Sequence, residues 1–273
     1  LEFRRVLFRS AFIIRRVLQF IPTLLGVVLL VFILFNWIGG DPAYLLAGKI
    51  SNPEQIANIR KQIGVDQPYT VQLWIFITQI ATGDFGVSWA TNEKVSTIFA
   101  TRLIPSLTVL LPILIVGTLL AMGLALLVAY RRGSLTDRAI MIGCTVGQSV
   151  SILVYIIVFQ YVFAYQLGWF PVQGFRPIGE GLGPFVSHMV LPTVTLGLAY
   201  VALLTRMTRA TMLEVLRQDY IRTAREKGLA RSSVLFVHAL KNASVPILTT
   251  AGVGVALLIG GAVITESVFS IPG

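Results

Sequence analysis

Five long stretches without a single Asp, Glu, Lys or Arg constrain the fold more than any other feature of the sequence. Each is longer than the ~20 residues that a helix needs to cross the hydrocarbon layer of a membrane. Lipid cannot satisfy free backbone groups, so such stretches form helices or closed barrels, and the alternation that barrel strands require is absent. The stretches are Val17–Gly40, Leu103–Tyr130, Ala139–Phe175, Gly181–Thr205 and Asn242–Thr265.

The sequence therefore predicts an all-α polytopic membrane protein with five spans. Composition agrees, because charged residues make up 12% of the chain and mean hydropathy is +0.81, whereas a soluble domain carries about twice that charge fraction. A single cysteine, Cys144, excludes an internal disulfide and a metal site built from cysteines. We expect the spans to cover Val17–Ile38, Leu103–Ala129, Ala139–Tyr165, Phe185–Leu204 and Pro246–Ile264.

The basic residues indicate which connections face the cytoplasm. Of the 22 Lys and Arg residues, 16 lie in the N-terminus, the Arg131–Arg138 turn and the Arg206–Lys241 segment. The positive-inside rule places these three connections in the cytoplasm, and segment 41–102 and the loop around Arg176 outside. The net charge of +10 thus follows from topology and from contact with membrane lipid, and does not indicate nucleic-acid binding.

The outward segment shows helix punctuation. Asn52-Pro53-Glu54 is a helix start and Gly64 a stop, and Pro68 opens a second helix that ends at Gly83-Asp-Phe-Gly86. Asp84-Phe-Gly86 also occurs in protein kinases, where it holds magnesium. The Gly-rich and catalytic loops of kinases are missing here, so we interpret the tripeptide as a turn.

The spans lack the ionisable groups of an ion-driven carrier. His188 and Glu266 lie at span ends, whereas proton or sodium relays need such groups near the membrane centre. There is no Walker A motif, so nucleotide energy would have to come from another subunit. Nucleophile elbows and clustered metal ligands are also missing, so we predict no catalytic residue, no metal site and no cofactor in this chain. A self-sufficient carrier or channel remains the alternative.

Polar residues of the third span could line a translocation path. They could equally serve as ordinary hydrogen bonds between helices. The candidates are Gln148, Ser149, Ser151 and Gln160, with Thr145 nearby.

The Arg206–Lys241 segment is the strongest candidate for a partner-binding site. Ala224 and Gly228 lie four residues apart, which gives a helix one small-residue face that a partner could approach closely. A short exposed helix between two spans suits coupling to a soluble, moving partner. A merely solvated basic loop is the alternative.

These residues resemble a known family. Arg222-Thr-Ala-Arg-Glu-Lys-Gly228 is similar to the "EAA" loop of ABC importer permeases, above all those of the peptide/nickel subclass (oligopeptide and dipeptide permease B-like). The resemblance covers about residues 12–273. Arg222 replaces the glutamate of the loop's name and Lys241 a frequent proline, as in peptide-type permeases. Further matching motifs are Gly40-Asp-Pro42, Gly64-Val-Asp-Gln-Pro68, Asp219-Tyr-Ile-Arg-Thr-Ala224 and Thr265-Glu-Ser-Val-Phe-Ser-Ile-Pro-Gly273.

The resemblance implies the type I ABC importer permease fold, with a sixth span beyond Gly273 and hence a truncated chain. Residues 1–11 would be a non-native or extension segment. Residues 12–102 would form the first span and an extracytoplasmic region, and residues 103–273 the permease core with its coupling loop, 206–241.

The same resemblance implies a multi-pass protein of the prokaryotic plasma (inner) membrane with a cytoplasmic N-terminus. Its partners would be a second, homologous permease, two cytoplasmic ATPases holding ATP and Mg, and an extracytoplasmic solute-binding protein. Di- or oligopeptides, glutathione, a nickel chelate or a sugar would be the solute. The ATPase-coupling residues would be Tyr220, Arg222, Thr223, Ala224, Arg225 and Gly228.

Overall fold

The computed structural model describes residues 2–34, 43, 52–88, 91 and 93–273, and these are helical apart from short connections and one isolated bridge, Val87–Lys94. The chain divides into two compact units, Leu1–Phe99 and Ala100–Gly273. Within the described residues a bent helix pair adds a fifth candidate span to four long apolar helices. The all-α, multi-span prediction is confirmed. The four helices contain Arg15–Ile33, Val95–Tyr130, Leu182–Val215 and Val234–Phe269.

The described residues of the first unit before Val95 form one long helix and two short ones. Helix α1 covers Glu2–Ile33, α2 Pro53–Ile63 and α3 Tyr69–Thr82. The punctuation is as predicted, because Asn52 precedes α2 in an extended conformation and Gly64 and Gly83 end α2 and α3 with φ of 71° and 73°. The predicted end of the first span, Ile38, and the motif Gly40-Asp-Pro42 lie outside the described residues.

Turn chemistry explains Asp84-Phe-Gly86. The backbone N–H of Gly86 donates to the Asp84 carboxylate at 3.3 Å, which is an Asx-type turn. Gly86 has φ of 70°, which glycine adopts without steric cost. The turn interpretation is therefore confirmed.

The second predicted span is longer than expected. Helix α4 (Val95–Pro112), a π-helical turn (Ile113–Gly117) and α5 (Thr118–Tyr130) form one continuous rod. Pro112 has no N–H to donate, so the hydrogen-bond ladder changes its period directly after it.

The third predicted span is broken. Helix α6 covers Leu135–Ser149 and α7 Ile152–Phe159, followed by a π-helical turn, Gln160–Gln166, and the two halves meet at 103°. Val150 and Ser151 are both extended, with ψ of 135° and 143°. The Tyr155 hydroxyl donates across the break to the carbonyl of Val146 at 3.0 Å, which also accepts from the N–H of Val150 at 3.3 Å. The predicted third span is therefore built from two short helices and not from one continuous helix.

Helix α8 (Leu182–Val215) is the central element of the second unit and packs against α5, α6, α7 and α11 (Leu240–Phe269). Glycines let α8 and α11 approach closely, since a Cβ on Gly254 would lie 2.6 Å from the Tyr200 ring and one on Gly261 2.8 Å from Leu196. The Tyr200 hydroxyl in turn lies 2.8 Å from that of Thr118 on α5. Between α8 and α11 lie α9 (Asp219–Glu226), the single turn α10 (Arg231–Ser233) and a π-helical turn, Val234–Ala239.

Candidate functional site

The 206–241 segment is a chain of helices in which two short turns, residues 216–218 and 227–230, separate α9 from the helices of the flanking spans. Helix α8 continues through the predicted loop start at Arg206 to Val215, with Thr208 and Met212 fully buried. After α9, helical structure resumes at Arg231, well before the expected start of the fifth span at Pro246. The connection between the spans is consequently short and largely helical.

Helix α9 has well-defined ends. Gln218 is extended immediately before it, and Asp219 puts a negative charge in its first turn, where the helix dipole favours one. Gly228 follows with φ of 77°, and its N–H donates to the carbonyl of Arg225 at 2.9 Å. With open space around its α-carbon, Gly228 serves the turn and not a close approach.

The inner face of α9 carries Ile221 and Ala224, whose exposed fractions are 0% and 8%. Both belong to the buried apolar cluster that includes Val215, Val234 and Leu235. Of the two residues of the predicted small-residue face, Ala224 therefore packs into the chain's own core, whereas Gly228 is exposed. Ile221, one helical turn before Ala224, is the sequence signal for this orientation.

The outer face of α9 carries Asp219, Thr223 and Glu226, which are all exposed. At 100° per residue these three positions lie opposite Ile221 and Ala224. A partner approaching this face meets a polar surface with two carboxylates.

One side of α9 is bound to α11. The Tyr220 hydroxyl accepts a hydrogen bond from Nδ2 of Asn242 at 2.7 Å, and the same amide donates to the carbonyl of His238 at 3.2 Å. Tyr220 was among the predicted residues, whereas Asn242 was not. The other side carries Arg222 and Arg225, which line a cavity.

A buried ion pair joins α8 to the first turn of α6. Nε and Nη2 of Arg209 each donate to an Asp137 oxygen at 2.8 Å, and the backbone N–H of Gly133 donates to the same carboxylate at 2.9 Å. The exposed fraction of the Asp137 side chain is 5% and that of Arg209 24%. Sequence reasoning missed this pair because both residues lie in cytoplasmic connections by the positive-inside rule, and the rule does not indicate which charges pair. The available sequence signal was the position of Asp137 three residues after Ser134. The Ser134 hydroxyl caps α6 by accepting from the N–H of Asp137, which puts Asp137 in the first turn of that helix.

The predicted path residues do not form one surface. Gln148 lines a cavity of about 450 Å³ between α6, α8 and α11, together with Tyr200, Arg206 and Gly254. The other three lie elsewhere. The Ser149 hydroxyl donates to the carbonyl of Thr145 at 2.8 Å, Ser151 lies at the bend, and Nε2 of Gln160 donates to the carbonyl of Val172 at 3.0 Å.

The described residues contain no group of three or more His, Cys, Asp or Glu side chains that could hold a metal ion. His188 Nδ1 lies 2.7 Å from the carbonyl oxygen of Pro184, within its own helix. His238 lies in the π-helical turn before α11.

Comparison with known proteins gives consistent matches along the chain. The family model described as "Binding-protein-dependent transport system inner membrane component" matches residues 117–273, and a model for the N-terminal part of such membrane components matches residues 9–111.

Two relatives illustrate the similarity. A probable peptide ABC transporter permease protein of Sinorhizobium fredii is 39% identical over 264 residues, which are 97% of this chain and 84% of that protein. A glutathione transport system permease protein of Salmonella choleraesuis is 36% identical over 262 residues, 96% of this chain and 83% of the relative.

Proposed function

Because this chain belongs to the family of binding-protein-dependent transport system inner membrane components, we propose that it is a subunit for the ATP-driven import of peptides or a peptide-like solute. The relatives named for peptide and glutathione transport support this solute class. Membership of the family also implies ATPase and solute-binding-protein partners. The chain itself is a transport component and not an enzyme.

Helix α9 is the element that we propose to couple the membrane spans to an ATPase. One observation carries this role: α9 is fixed to both spans, by its buried Ile221 and Ala224 and by the bond between Tyr220 and Asn242. Its outer face is free of these attachments. A displacement applied to that face would move α8 and α11 with it, because neither connection contains a long flexible loop.

The energy required is compatible with ATP on a partner. Reversing a strongly one-sided two-state equilibrium takes several kcal/mol of differential binding between the states. We propose that ATP and Mg are held by two cytoplasmic ATPase subunits, and that a second, similar permease completes the membrane part. We propose a cytoplasmic N-terminus and a cytoplasmic α9, which the distribution of the basic residues supports.

We propose that the solute path passes the cavity beside the α6–α7 bend. Gln148, the Tyr200 ring and Arg206 give this wall both hydrogen-bonding groups and a positive charge. A peptide presents amide groups along its length and a carboxylate at its end, which these groups suit. Of the four predicted path residues, Gln148 lines this cavity.

The test is a crosslink that separates the two faces of α9. In a Cys144→Ser background, a cysteine replaces either exposed Thr223 or buried Ala224, and the protein is expressed with an ATPase subunit carrying cysteines along its docking cleft. We expect the Thr223→Cys protein to crosslink with a yield that changes with ATP, and the Ala224→Cys protein to react far less. Labelling of a Glu180→Cys protein from outside verifies insertion.

Two outcomes contradict the proposal. No reaction at Thr223 with the protein's own ATPase, in correctly inserted protein, would mean that α9 is merely solvated. Solute uptake by the purified chain alone, insensitive to ATP, would instead identify a self-sufficient carrier or channel.

A further inference from the structure

A cavity of about 470 Å³ lies between the end of α5, the end of α8, α9 and the π-helical turn Val234–Ala239. Its wall carries four arginines from three separate parts of the second unit. Arg132 belongs to the turn after α5, Arg217 follows α8, and Arg222 and Arg225 project from one side of α9. Groups far apart in sequence thus converge on one space.

Within the part of the chain that the structure describes, none of these four exposed guanidinium groups forms a salt bridge or a side-chain hydrogen bond. The carboxylate of Asp137, which follows Arg132 closely in sequence, accepts its hydrogen bonds from Arg209 and from the N–H of Gly133, and it attracts Arg132 only electrostatically, beyond salt-bridge distance. Four like charges around one cavity repel each other, and a bound anion would offset that repulsion.

The other residues that line the cavity indicate which kind of anion fits it. Leu213, Leu216 and Leu235 give the cavity an aliphatic side next to its cationic one. Guanidinium groups match phosphate oxygens in bidentate geometry better than ammonium groups do. A phosphate attached to an apolar body would satisfy both sides of the cavity, although a free phosphate would satisfy the arginines alone.

We propose that this cavity is a binding site for a phosphate-bearing anion, with Arg132, Arg217, Arg222 and Arg225 as its ligands. An anionic phospholipid headgroup and a soluble phosphate share this chemistry. The site lies on the side of α9 and not on its outer face, so a bound anion would hold α9 against the ends of α5 and α8. Binding at this cavity does not require a partner on the outer face of α9.

The test compares two variants that each lose two positive charges with a third that keeps the wild-type charge. R132Q/R217Q removes two cavity arginines without touching α9, and R131Q/R138Q removes two exposed arginines of the same turn region that do not line the cavity. R132K/R217K keeps the charge and removes the guanidinium forks. Each full-length protein is purified in neutral detergent with its copurifying subunits, and thermal midpoints without added anion verify folding.

Two probes distinguish the sources of the phosphate. Native mass spectrometry measures the affinity for phosphatidylglycerol against phosphatidylcholine, and thermal unfolding measures stabilisation by inorganic phosphate against chloride at equal ionic strength. We expect R132Q/R217Q to weaken binding of the probe to which wild type responds by at least about tenfold, because two charge-assisted contacts are lost. The R132K/R217K protein should lie between it and wild type, and R131Q/R138Q within about twofold of wild type.

A response to phosphatidylglycerol alone identifies a lipid headgroup site, and a response to inorganic phosphate identifies a site for soluble anions; both support the proposal. Equal weakening in R132Q/R217Q and R131Q/R138Q would overturn it, because general surface charge would then explain the binding. The absence of any preference in wild type, for phosphatidylglycerol or for phosphate, would overturn it as well.

Discussion

The ion pair between Asp137 and Arg209 should be a major contributor to the stability of the second unit, and the two partners should be unequal in cost. Replacing Arg209 by Leu leaves a carboxylate that is 5% exposed with the N–H of Gly133 as its remaining donor. Replacing Asp137 by Leu leaves a guanidinium that is 24% exposed and can reach water. Removing one partner of a buried pair costs up to about 5 kcal/mol, and solvent access lowers that figure.

We therefore expect Arg209→Leu to lower the free energy of unfolding by about 3–4 kcal/mol and Asp137→Leu by about 2 kcal/mol. The double variant should cost less than the sum by at least about 1.5 kcal/mol, since removing both charges leaves neither unpaired. The bidentate geometry, with both N–O distances at 2.8 Å, places this pair among the strong ones.

The assay is reversible unfolding in mixed micelles, with each free energy read from a denaturant titration. The exposed pair of Arg176 and Glu180 provides the control, because their side chains are 57% and 48% exposed. Glu180→Ala should change the free energy by less than about 0.5 kcal/mol. Additive costs at Asp137 and Arg209, or a larger cost for Asp137→Leu than for Arg209→Leu, would refute the reasoning.

Further predictions concern close packing and the α9 attachment. Gly254→Ala places a methyl group 2.6 Å from the Tyr200 ring and should lower the free energy of unfolding by about 1–3 kcal/mol, whereas Gly252→Ala, with no atom within 4 Å, should be nearly neutral in the same titration. Tyr220→Phe removes the acceptor of the Asn242 amide and should lower the free energy of unfolding by under about 1.5 kcal/mol. ATP-dependent uptake should fall by a larger proportion than the free energy of unfolding does. Asn242→Ala should give the same loss of uptake and add nothing to Tyr220→Phe; additive losses would show that the two side chains act separately.

Local signals in the sequence were sufficient for most helices and for their ends. Uncharged stretches identify spans because a charged side chain in lipid is costly, and Pro53, Gly64 and Gly83 mark ends because of their backbone geometry. The break at Val150 and Ser151 could not be found this way, because neither residue is Gly or Pro and the stretch stays uncharged across it. What stabilises the break is non-helical pairing across it, the bond from Tyr155 to Val146.

Charged residues were misjudged for a related reason. Charges outside the spans were used to predict topology and not pairing, yet Asp137 and Arg209, seventy-two positions apart, form a largely buried ion pair. A spacing of four, as between Ala224 and Gly228, predicts a shared face but not which way that face turns. Burial of Ile221 decides it, because an apolar side chain on a short polar helix determines which side packs on the core.

The inward turn of Ala224 changes how movement could pass through α9. A partner bound to a small-residue face would displace α9 alone. A partner bound to the outer face would displace a helix whose opposite side already packs on the core. Thr223 lies on that outer face, and Tyr220 and Arg222 lie between the outer and buried faces, beside α11 and the arginine cavity respectively. Pressure at Thr223 would thus reach both α8 and α11 through existing contacts, and softening either side should reduce coupling while leaving partner binding intact.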